Sequence, residues 1–155
     1  RWPPENFAAL GRWLAAHAGA DLVLVGGPED SPLLRAVAEC DLGEAKVASF
    51  AGTFTFAEVG ALAAGAVVYI GNDSGPTHIA AAAGGRAVMI LGPSDPARYA
   101  PYTPRSLALW KPVHLPQGGV AAGAPPDWDW ARNGIGVDEA AEKILNFLAK
   151  PPQML

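Results

Sequence analysis

Three short apolar runs in this chain each end in glycine and lead into a helix signal, and that alternation is its strongest constraint on fold. Asp21-Leu22-Val23-Leu24-Val25 stops at Gly26-Gly27-Pro28, Ala66-Val67-Val68-Tyr69-Ile70 stops at Gly71, and Ala87-Val88-Met89-Ile90-Leu91 stops at Gly92-Pro93. Runs that are apolar at every position, rather than at every second one, suit parallel strands buried on both faces. Strands alternating with helices imply an α/β, Rossmann-like parallel sheet with helices on both faces. Sheets of this kind bind ligands at the carboxyl ends of their strands, so the three glycine exits should gather on one rim.

The helix signals fit this scheme. Trp2-Pro3-Pro4-Glu5 opens a helix that carries Phe7, Leu10, Trp13 and Leu14 at helical spacing up to Gly19. Ser31-Pro32 supplies an N-cap and a first-turn proline, with Leu33, Leu34, Val37 and Ala38 as the buried face. Thr55-Phe56-Ala57-Glu58 matches a capping box and starts a helix through Ala64. A further helix runs from Pro76 through Ala83 and ends at Gly84-Gly85. Lys46-Val47-Ala48 and Ser106-Leu107-Ala108-Leu109-Trp110 supply two more strands. Residues 112–134 show no periodicity and predict a long irregular loop. The closing amphipathic helix, about 137–149, faces inward with Ala141, Ile144, Leu145 and Leu148. At 155 residues, half of them apolar, the chain has the size of a single domain, residues 1–155.

Composition narrows the function. A net charge of -4 advertises no basic surface, which disfavours nucleic acid as a partner. One cysteine, Cys40, rules out an intrachain disulfide and a cysteine-rich metal site and fits the cytoplasm. No apolar stretch is long enough to span a bilayer, which leaves peripheral membrane association at most. The phosphate loop of nucleotide hydrolases, the three-glycine dinucleotide pattern and the nucleophile elbow of Ser-His-Asp hydrolases are all absent.

The chemistry concentrates in Gly71-Asn72-Asp73-Ser74-Gly75-Pro76-Thr77-His78. Two glycines after a buried strand let the backbone approach a ligand closely, and the free N–H groups of the helix that begins there attract an anion such as a diphosphate. Ser74 adds a hydroxyl donor and His78 lies one turn in, while Asp73 repels phosphate and suits sugar hydroxyls. The alternative is that Asp73 or Ser74 simply caps the helix and His78 is packed or half-exposed. Glu29 and Asp30, after Gly27, stand where carboxylates accept from a ribose diol, or else are solvated turn acids. Asp127-Trp128-Asp129 has the spacing of a metal-nucleotide carboxylate pair but lies in a proline-rich stretch, so we read it as a surface loop. His17 and His114 carry weaker signals still.

Taken together, Val25-Gly26-Gly27-Pro28-Glu29-Asp30, the run from Gly65 to Ala81 and Leu91-Gly92-Pro93-Ser94-Asp95-Pro96 closely resemble the lipopolysaccharide heptosyltransferases, family nine of the glycosyltransferases. The likeness runs from Trp2 to about Tyr102. It implies one half of a GT-B enzyme, the C-terminal domain that binds the donor. Such enzymes move heptose from ADP-heptose to the lipopolysaccharide inner core, with inversion, without a cofactor and generally without a metal. The resemblance implies that the Ser74 and Gly75 amides meet the diphosphate, with Pro76 and Thr77 in the same turn. Asp73 and His78 then line the donor site, Glu29 or Asp30 reaches the ribose, and Phe54 packs near adenine. The family's phosphate-neutralising lysine precedes its Trp-Pro, and here Arg1 stands beside Trp2. No catalytic residue is expected in this chain, because the family's general base and the acceptor site belong to the N-terminal domain, so this chain alone is expected to be inactive. A GT-B sugar-nucleotide epimerase and a non-catalytic nucleotide-sugar-binding module are the competing readings.

Overall fold

The computed structural model describes residues 1–112 and 127–150. Helix α1 (Pro4–Ala18) leads to β1 (Leu22–Gly26), a 3-10 turn (Pro28–Asp30), α2 (Ser31–Ala38), β2 (Val47–Ala51) and α3 (Phe56–Gly65). Then follow β3 (Tyr69–Asn72), α4 (Gly75–Ala82), β4 (Ala87–Ile90), α5 (Pro96–Tyr99), β5 (Ser106–Leu109), α6 (Trp130–Asn133) and α7 (Val137–Ala149).

All strand pairs are parallel. β1 pairs with β2, and β3, β4 and β5 form a second ladder in that order. Side chains alternate across β4, and the alternation divides the core. Val88 and Ile90 pack with Leu10 and Leu14 of α1 and Ile144 of α7, whereas Ala87 packs with Ala63 of α3 and Ala80 and Ala81 of α4. Helices therefore cover both faces, as the apolar strands require. Helix α1 also reaches the other ladder, where Ala8 meets Val37 and Leu42 with Leu22 and Leu24 of β1 packed around them.

The capping box forms as read: the Glu58 amide donates to Thr55 Oγ1 (3.4 Å) and the Thr55 amide donates to Glu58 Oε2 (2.8 Å). The first of these bonds is long, and the second carries most of the cap. Helix α7 keeps its predicted bounds but turns slightly: Ala140, Ala141 and Ile144 are buried, Leu148 is half-buried and Leu145 is exposed. In α2, Ser31 is the first helical residue and provides no side-chain cap, and only Val37 is fully buried while Leu33 is exposed. A two-turn helix over a two-stranded ladder has little to cover. The third strand starts later than its apolar run suggests, at Tyr69, because its register with β4 runs from Tyr69↔Ala87 to Asn72↔Ile90; Val67 is 70% exposed. Residues 112–134 are not wholly irregular, since α6 lies among them, and residues 113–126, with His114, lie outside the described residues.

Candidate functional site

The exits of β3 and β4 open onto a cavity of about 300 Å³ lined by Arg1, Asn72, Asp73, Gly92, Ser94 and Trp128, with Ile90, Pro93 and Trp130 completing the wall. It sits where the strand-exit rule places a ligand.

Local geometry explains the turn above it. Thr77 is fully buried and its Oγ1 donates to the Asn72 carbonyl at 2.7 Å. A Cβ on Gly71 would lie 2.4 Å from that oxygen and 3.0 Å from the Tyr69 ring, so only glycine fits beneath the turn. The Thr77 side chain thus supports the loop from below, facing away from the cavity. Burial also pushes the Tyr69 hydroxyl up to about 12, which keeps it neutral across the physiological range. Asp73, Ser74, Gly75 and His78 are exposed, Pro76 is half-buried in the first turn of α4, and a Cβ at Gly75 would meet nothing within 4 Å. Ser74 is the N-cap residue but makes no side-chain cap bond. Its Oγ instead approaches the Asn72 carbonyl at 3.3 Å and Thr77 Oγ1 at 3.4 Å. The first-turn amide of Gly75 has no partner among the described residues.

Of the residues given a ligand role from the sequence, the cavity gathers Arg1 and Asp73, while Ser74, Gly75, Pro76, Thr77 and His78 do not line it. Arg1 and Asp30 are ion-paired to each other, which joins the exit of β1 to the cavity. Asp30 Oδ2 also accepts from the Gly27 amide at 3.1 Å. Chiefly the Arg1 hydrogen bond, opposed by partial desolvation, holds the Asp30 carboxyl below its ordinary value. Any contact of Arg1 with phosphate, or of Asp30 with a ribose, therefore competes with this pair. Glu29 is exposed with its carboxylate over Gly27, and Phe54 stacks at a tilt on Phe50 with ring centres 5.0 Å apart; neither lines the cavity.

A depressed carboxyl adds stability above its unfolded value, near 3.9, and loses it as pH falls through the lower folded value. Arg1 is 61% exposed, so the pair contributes under about 1 kcal/mol. Asp30→Asn should melt slightly below the parent at pH 6 and together with it near pH 2, and paired thermal melts check this.

The structure adds residues that sequence reasoning passed over. Asn72 Oδ1 accepts from the Trp2 backbone amide at 2.7 Å, which leaves the Asn72 amide hydrogens for the cavity. Trp128 and Trp130 also line the cavity, edge to face at 79° with centroids 5.6 Å apart. Trp130 packs so closely on Gly92 that a Cβ there would lie 3.3 Å from its ring. Asp129, between them, caps α6 by accepting from the Arg132 amide at 3.1 Å. It is committed to that helix, and the segment is a cavity wall rather than only a surface loop.

Residues 1–117 match the profile of glycosyltransferase family 9 (heptosyltransferase). The chain belongs to that family. Lipopolysaccharide heptosyltransferase 3 of Escherichia coli is 35% identical over 111 residues, covering 70% of this chain and 32% of the relative. Its counterpart in strain K12 is 37% identical over the same length. The chain thus spans about a third of the length of the curated relatives it matches. Among solved structures, a glycosyl transferase family 9 protein from Veillonella parvula DSM 2008 superposes with a TM-score of 0.78 at 26% identity, over 96% of this chain and 42% of that one. E. coli ADP-heptose lps heptosyltransferase II gives 0.71 at 24% identity with the same coverage, a likeness of fold. The parallel α/β architecture is one half of the GT-B arrangement of these neighbours. Among the described residues no helix is long and apolar enough to cross a membrane.

Proposed function

We propose that this chain is the donor-binding, C-terminal part of an inverting heptosyltransferase that takes ADP-heptose as donor and the lipopolysaccharide inner core as acceptor. The carrying observation is the cavity at the β3 and β4 exits, where the open first turn of α4 adjoins Asp73 and Asn72. In glycosyl transfer, charge builds on the departing diphosphate while the anomeric carbon becomes electron-poor. Fixed N–H groups at a helix start stabilise that charge by a few kcal/mol for each well-placed donor, roughly. Gly75 and Ser74 supply those groups, with His78 one turn on, and Asp73 takes sugar hydroxyls. Glu29 or Asp30 takes the ribose, Phe54 lies on the adenine side, and Arg1 is the nearest cation. Acceptor deprotonation falls to a base in a second domain, so this part alone binds donor without turning it over. Reaction at the cytoplasmic face of the inner membrane follows from that acceptor.

Coverage supports the reading of a part within a larger enzyme, since the chain spans 32% of the curated relative and 42% of the solved neighbour. Membership in family 9 favours a transferase over an epimerase or an inert module.

Calorimetric titration with ADP tests the assignment. Binding in the micromolar to millimolar range is expected, roughly -8 to -4 kcal/mol, and an absent heat and absent NMR shifts at millimolar ADP would overturn it.

A further inference from the structure

We infer that Trp128 is the platform on which the donor's sugar ring stacks, with Asn72 and Asp73 gripping two neighbouring hydroxyls along its edge. The inference rests on the donor-binding reading above and adds to it the residue that tells sugar from bare nucleotide.

The cavity lining is of two chemical kinds. Arg1, Asn72, Asp73 and Ser94 are polar, while Trp128, Trp130, Pro93 and the buried Ile90 are apolar. A saccharide has the same asymmetry, with C–H groups on its ring faces and hydroxyls around its rim. Arg1, on the same lining, is left for the charged part of the donor, while the apolar carbons match the C–H face of a ring.

The polar side chains are also set for a diol. The Trp2 backbone N–H donates to Asn72 Oδ1, so the acceptor of the side-chain amide is already used and what Asn72 has left to offer a ligand is its NH₂ group. A donor in Asn72 therefore sits beside an acceptor in Asp73. A hydroxyl that donates to the carboxylate while its neighbour accepts from the amide satisfies both, as adjacent hydroxyls on a ring do.

The apolar side chains are held in place. Trp130 is clamped against Gly92 and packs on the main core, and Trp128 stands edge to face against it. Asp129 is tied into α6 by its cap. Trp128 and Trp130 are both half-buried and both line the cavity; Trp130 is the one already packed on the main core and against Gly92, which leaves Trp128 the ring with surface to offer a ligand. A rigid half-covered indole loses little entropy when a ligand covers the rest.

The test compares ADP with ADP-heptose, by calorimetry, on the parent chain and on Trp128→Ala and Trp128→Phe. The parent should bind ADP-heptose about tenfold or more tighter than ADP. Trp128→Ala should keep ADP affinity within about twofold and lose the preference, while Trp128→Phe, which retains a ring, should keep most of it. Equal binding of the two ligands by the parent, or a preference untouched in Trp128→Ala, overturns this inference alone. Loss of ADP and ADP-heptose binding alike in a folded Trp128→Ala puts adenine on the indole and also overturns it. A parent that binds neither ligand removes the donor-binding reading and this inference together.

Discussion

Gly75→Val is expected to melt like the parent yet to bind ADP at least about tenfold more weakly, the equivalent of roughly 1.4 kcal/mol. The two halves of that expectation have separate causes. A Cβ at Gly75 would meet nothing within 4 Å, and the residue is not among those with positive φ, so valine brings neither a clash nor backbone strain. Surface changes of that kind usually fall within about 0.5 kcal/mol of neutral. Under the donor-binding reading a diphosphate approaches the first-turn amides beside that Cβ position, and two methyl groups there would crowd it. Hydrogen bonds to a charged partner are worth about 1.5–3 kcal/mol each, so losing one suffices for the predicted drop. Melting curves and ADP titration of the same sample decide it. Unchanged ADP affinity in a folded variant would take the α4 turn out of the site. Gly71→Val is the useful contrast, since its Cβ would strike Thr77 Oγ1 and the Tyr69 ring, and stability rather than affinity should fail.

The same two glycines show how far the sequence was legible. That a strand ends at Gly71 and a helix starts near Pro76 followed from local chemistry, as did the Thr55 capping box and the bounds of α7. Which side of α4 is buried also follows from periodicity. Thr77, Ala80 and Ala81 are spaced as one helical face and are all buried, which turns Thr77 inward and His78 outward. Treating Gly71 to His78 as one ligand-facing block concealed that division. Other differences depend on what lies across the fold. Leu33 and Leu145 fit their helical stripes yet are exposed, because burial depends on having a neighbour to pack against, and periodicity carries no such information. Arg1 and Asp30 each suggested a ligand contact, and nothing in the sequence signals that folding also pairs them with each other. Trp128 and Trp130 lie in a stretch without period, and their role appears only once Gly92 is seen to give Trp130 room. The available signal was composition: two tryptophans spaced by two in a polar, proline-rich segment are costly to leave in water and call for a surface to cover.

Trp2→Ala should be the most damaging single substitution near the amino end, costing about 3–5 kcal/mol. Trp2 is 2% exposed although it stands second in the chain, and it joins Leu10 and Leu14 of α1, Val88 and Ile90 of β4, and Ile144 of α7 in one cluster. Its ring meets Phe7 edge to face at 83°, and its Nε1–H donates to the Ile135 carbonyl at 3.0 Å. Truncation removes the apolar contact and leaves that buried carbonyl without its partner. Domains of this size have about 5–15 kcal/mol in total, so a melting point lower by about 10 °C or more is expected. Trp2→Phe separates the contributions: it keeps most of the packing and loses only the indole donor, and its cost should be nearer 1–3 kcal/mol, roughly the price of one unsatisfied carbonyl. Both variants keep the Trp2 backbone amide that holds Asn72. If Trp2→Phe remains folded, its ADP affinity should therefore stay close to that of the parent, since the anchor of the cavity is main chain and the anchor of the core is the indole. A Trp2→Phe protein that folds well but binds ADP poorly would show instead that the indole, through the path of α1, sets the position of Asn72 and the rim.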